Sequence, residues 1–160
     1  MIIQHLKKII PNGNTASLEE ITEAEKKLGF KLPCLLKELY QNVANGHKQL
    51  PQSIIGLKGG YTEDFEDIVT WYLTNISCNN EPDMPDWKEN MLAIADLGCC
   101  EYICLDCSTK EANVWQWDGN QYEDDKPETI EDCWINLNLT FEKWIKREIE
   151  QNNREEFENS

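Results

Sequence analysis

Between residues 91 and 118 the chain changes its period. MLAIAD (91–96), EYICLD (101–106) and NVWQWD (113–118) are short apolar runs with aromatic and β-branched positions. Connections of about 4–6 residues carrying Gly, Ser and Thr separate them, and runs so spaced read as an antiparallel meander. The segments on either side carry helical spacing instead.

The helical part opens with residues 2–9, stopped by Pro11, Asn12 and Gly13. Ser17 and Glu20 have the S-x-x-E spacing of a capping box, and Leu18, Ile21, Ala24 and Leu28 mark one apolar face. Gly29 is placed to end that helix. Pro33 then suits the first position of a second helix, with Leu35, Leu36, Leu39, Tyr40 and Val43 on its buried face and Asn45-Gly46 at its close. SIIGLKGG (53–60) reads as a short strand running into a turn. Thr62 is expected to cap a third helix, with Glu63, Asp64 and Glu66 in its first turn. Phe65, Ile68, Val69, Tyr72, Leu73 and Ile76 would form its apolar face. Residues 78–87 read as a loop, and a last helix starts near Thr140, with Phe141, Trp144, Ile145 and Ile149 inward. Residues 1–150 are taken as one domain, and residues 151–160 as a frayed acidic tail.

A chain of 160 residues suits one domain. No apolar run approaches the roughly 20 residues that span a bilayer. The start MIIQHLKKII lacks the basic-then-apolar order of a signal peptide, so a cytoplasmic protein with reduced thiols and no membrane partner is expected. Charge is unevenly spread. Residues 1–60 hold eight Lys against five Glu, whereas residues 61–160 hold seven basic and 25 acidic side chains, a net of −18. Such a chain repels a phosphate backbone, so no direct nucleic-acid partner is expected, and it attracts basic proteins.

CCEYICLDC (99–107) holds four of the seven cysteines. Structural zinc usually draws on two C-x₂-C turns. Cys104 and Cys107 have that spacing, but Cys99 and Cys100 do not. Along a strand, neighbouring side chains alternate faces, so the thiols would diverge. They read as small apolar strand residues, and no metal or cofactor is expected. The two histidines, His5 and His47, lie in no catalytic context, and no Walker loop, G-x-G-x-x-G or G-x-S-x-G is present. No catalytic residue is assigned.

Several pieces, taken in order, resemble one family. ITEAEKKLGFKLPCLLKELYQNVANG (21–46) resembles the opening of SUKH proteins: an I-x-x-A-E-x-x-L helix, L-P, and a second helix ending in Asn-Gly. LAIADLGCCEYICLDCSTKEANVWQWDGN (92–120) resembles the family's middle, where a strand ending in IA, a strand ending in CLD and a V-x-x-W-D strand follow one another. TFEKWI (140–145) resembles its closing helix, and the match spans roughly residues 17–147. His47-Lys48 departs from the pattern, which commonly has a further glycine there. The resemblance implies a single α+β domain with a mostly antiparallel sheet packed by N-terminal and C-terminal helices. It also implies one of two non-enzymatic settings. The first is a bacterial immunity protein that neutralises a cognate toxin, often a nuclease and therefore basic. The second is an intracellular interaction module like the yeast cell-wall assembly regulator.

The partner surface is expected around Trp115 and Trp117, which share one face of a strand, and the acidic residues that follow: Asp118, Glu123, Asp124 and Asp125. Glu63 and Asp64 belong to a second acidic cluster. For the tryptophans, packing beneath a helix is the competing expectation.

Overall fold

The computed structural model describes residues 1–159. In chain order it contains α1 (Ile2–Ile9), α2 (Leu18–Leu28), α3 (Cys34–Asn42), α4 (Ile68–Ser77), β1 (Met91–Gly98), β2 (Glu101–Asp106), β3 (Asn113–Asp118), α5 (Ile130–Cys133), β4 (Trp134–Thr140) and α6 (Phe141–Glu158). The strands form one sheet in the order β1-β2-β3-β4, every pair antiparallel. Helices flank the sheet, so the fold is a single α+β domain, as the family resemblance implied.

Local chemistry accounts for the helix ends. The Ser17 hydroxyl accepts the Glu20 N–H while the Glu20 carboxylate accepts the Ser17 N–H at 2.7 Å, so two otherwise orphaned donors are satisfied together. Gly29 closes α2 in the left-handed region, at φ 82°. Pro33 stands at the cap of α3, one residue before its first turn. Buried Glu25 links the two helices: its carboxylate accepts the Leu32 N–H at 2.9 Å and pairs with Lys31 and Lys37. Thr140 caps α6, accepting the Lys143 N–H.

Four local expectations are corrected. The third helix starts at Ile68, not after Thr62, because the Asp67 carboxylate accepts the N–H groups of both Val69 and Thr70. Glu63 and Asp64 therefore lie in an exposed turn ahead of the helix. Residues 53–60 make no strand. Their polar backbone is taken up locally: Gly56 donates to the Tyr61 carbonyl, and Leu57 donates to the Asn45 side chain. The β1–β2 connection is two residues rather than about four to six. The helix α6 runs to Glu158, although residues 151–156 are all exposed.

The core is continuous across helices and sheet. Leu36, Leu39, Tyr40, Leu92, Ile94, Leu105, Phe141 and Trp144 are fully buried. Leu73, expected inside, is instead exposed. Burial drives the Tyr40 phenol far above its usual range, and its hydroxyl donates to the Ile55 carbonyl at 2.6 Å. Asn45 holds the loops under the sheet. It is 3% exposed, and its Oδ1 accepts the Leu57 N–H at 2.7 Å while its carbonyl accepts the Tyr61 N–H. Gly60 packs so closely that a Cβ there would lie 2.1 Å from the Asn45 carbonyl oxygen.

Candidate protein-interaction site

One end of the sheet gathers several acidic side chains that are distant in sequence. β1 turns into β2 through Cys99 and Cys100, both at positive φ (52° and 62°), as a two-residue type I′ hairpin requires. Gly98 pairs with Glu101, and Glu101 pairs with Asp118, so the end of β1, the start of β2 and the end of β3 lie side by side. The turn after β3 is tied back to the hairpin tip. Gly119 donates to the Cys100 carbonyl at 2.9 Å, and the Asn120 amide donates to the Cys99 carbonyl at 2.6 Å. The Asp118 carboxylate accepts from Gln121 and Asn120, and these hydrogen bonds hold it below the usual carboxylate range.

The other acidic cluster reaches the same end. A crevice of about 260 Å³ is lined by Glu63, Asp64 and Phe65 on one side and by Asp96, Leu97 and Gly98 on the other. Tyr61 donates to the Glu63 carboxylate at 2.7 Å, fixing one wall. Two clusters that sit more than fifty residues apart in sequence thus flank one hairpin. Asp96, Glu101 and the exposed Leu97 join them, and sequence reasoning missed all three. The register of the hairpin is the signal that places them.

The remaining expected residues divide. Glu123 pairs with Lys126 at 2.7 Å, and its N–H donates to the Thr129 hydroxyl, so its charge is locally compensated. Asp124 and Asp125 are exposed in the same turn. Trp117 is 5% exposed and packs on Trp134 (4.7 Å between ring centres) and Trp87 (5.3 Å). It is a core residue rather than a surface anchor, packed against a loop tryptophan and the first residue of β4. Trp115 is half-buried, and the Lys88 ammonium lies 5.6 Å from its ring centre.

The cysteines divide by position. Cys99 and Cys100 are exposed turn residues, a correction to the strand reading. Cys104 is buried inside β2, and Cys107 follows the strand's end, so alternation no longer separates the two. Burial pushes the Cys107 thiol up to about 12 and Cys104 further, which makes a ligating thiolate costly at either. Among the described residues no group of three or more His, Cys, Asp or Glu is arranged to hold a metal.

A family model, the SMI1 / KNR4 family (SUKH-1), matches residues 15–147. The chain belongs to the SUKH-1 family. No curated protein matches it. The SUKH-1 match begins just ahead of the Ser17 cap and ends inside α6, so it takes in the whole sheet and the acidic rim. No helix among the described residues is long and apolar enough to cross a membrane.

Proposed function

We propose that this SUKH-1 protein is an immunity protein: a cytoplasmic, non-catalytic antitoxin that binds and neutralises a cognate toxin domain, basic partners such as nucleases being the class its charge fits.

 The single observation that carries this is the acidic rim: Glu63, Asp64, Asp96, Glu101 and Asp118 meet at one end of the sheet, with Asp124 and Asp125 in the turn that follows. A toxin that grips phosphate is basic, and a field of one sign across a face raises association rates by about 10–1,000-fold. Leu97 and Phe65 supply apolar surface beside the charge, as an interface needs for slow dissociation. No catalytic residue, metal or cofactor enters this function.

Co-expression with the toxin domain encoded beside the gene tests the proposal. The expected result is a complex that co-purifies and a toxin that has lost its activity. A neighbouring toxin that stays active and unbound would contradict it.

A further inference from the structure

The two edges of the sheet are treated differently. At β1 the edge is covered: Ile55 donates to the Ile94 carbonyl at 2.8 Å, and α4 packs on the strand. At β4 the edge is open. Among the described residues it pairs with β3 alone; its chain neighbours α5 and α6 pack on it, and Trp87 and Lys88 lie against Trp134 at its start. Its sequence, WINLNLT, makes it the one strand of the four without a charged side chain. Ile135 is 41% exposed there.

We propose that β4 pairs antiparallel with β4 of a second copy, joining two sheets across a two-fold axis. An isologous contact sets a surface against itself, so any charge on the strand would face its own like. In a chain of net charge −15, only a neutral strand satisfies that condition, and β4 is the strand that does. An open edge carries unpaired backbone donors and acceptors, and these accept another extended backbone. Because the β1 edge is covered, pairing stops at two copies instead of propagating into a fibre. Asn138, at φ 55°, donates its N–H to the Asn136 side chain and interrupts the edge, so the regular part of the contact is short. A single strand pair buries less than about 1,200 Å², which fits a weak, reversible dimer.

This dimer is independent of toxin binding, and salt separates the two. Two like-charged copies repel, so screening strengthens their association, whereas it slows the capture of a basic partner. Sedimentation equilibrium of the full chain, from about 0.05 M to about 0.5 M NaCl, is the test. The wild type is expected to dimerise, with an association constant that rises several-fold with salt. Ile135→Lys should weaken it by about tenfold or more by setting two ammonium groups across the axis, while Ile135→Thr should retain it. Hydrogen exchange on the wild type alone supplies a second readout, with β4 amide protection rising with protein concentration. A monomer at every salt and concentration, a dimer indifferent to Ile135→Lys, or β4 exchange independent of concentration would overturn the proposal.

Discussion

The Gly119 N–H donates to the Cys100 carbonyl at 2.9 Å, fastening the turn after β3 to the tip of the β1–β2 hairpin. That bond ties Asp118 to the same hairpin whose β1 side faces Glu63 and Asp64, so the acidic groups are gathered at one end of the sheet.

The hairpin tip is itself open to improvement. Cys99 and Cys100 both occupy the left-handed region, which costs a residue with a Cβ roughly 1–2 kcal/mol. Asn-Gly is the preferred pair for such a turn. The double change Cys99→Asn, Cys100→Gly should therefore raise stability by about 1 kcal/mol. A denaturant melt checks it, and a clear loss of stability would show that the turn is of another type.

Asn45 should be far less tolerant. Asn45→Ala leaves the buried Leu57 N–H without its acceptor, at a cost of about 1–3 kcal/mol. Chemical denaturation measures this directly. A change within about 0.5 kcal/mol would mean that the two loops are not held through this side chain.

Glu25 gives the fold a pH dependence. Burial pushes its carboxyl up, but the hydrogen bonds from Lys31 and the Leu32 N–H and the pairing with Lys37 together outweigh this, leaving it below 4.5. A carboxyl depressed on folding stabilises the protein above its unfolded value, and that stability is lost as pH falls through the folded value. Glu25→Gln should cost about 1–3 kcal/mol at neutral pH and flatten the decline in stability below about pH 4.5. Melts from acid to neutral pH provide the comparison. Parallel curves for the two proteins would remove Glu25 as a source of the dependence.

Much of this fold was legible because its signals are local. The Ser17–Glu20 box, the Thr140 cap and the apolar runs of β1, β2 and β3 each lie within a few residues. β4 was missed although residues 135–140 alternate apolar and polar side chains, because asparagine is poorly represented in strands, and the register shift around Asn138, which takes a positive φ, is set by pairing with β3. Both Thr62 and Asp67 can cap a helix, and spacing alone does not say that the Asp67 carboxylate reaches two N–H groups. At the candidate site, charge was visible but its location was not. The crevice that sets residues 63–65 against residues 96–98 is a long-range contact, and Trp117 has the same composition signal whether it faces a partner or the core.

The central claim is that the acidic rim draws a basic toxin onto this protein, and association kinetics test it most directly. Asp64, Asp124 and Asp125 are exposed, and among the described residues their carboxylates make no hydrogen bond or ion pair, so their reversal to Lys should leave the structure intact. Stopped-flow association with the toxin domain encoded beside the gene should slow with rising salt for the wild type. The triple variant should associate about tenfold more slowly at low salt and respond much less to it. Wild-type association that ignores salt, with the triple variant binding as fast, would contradict the account.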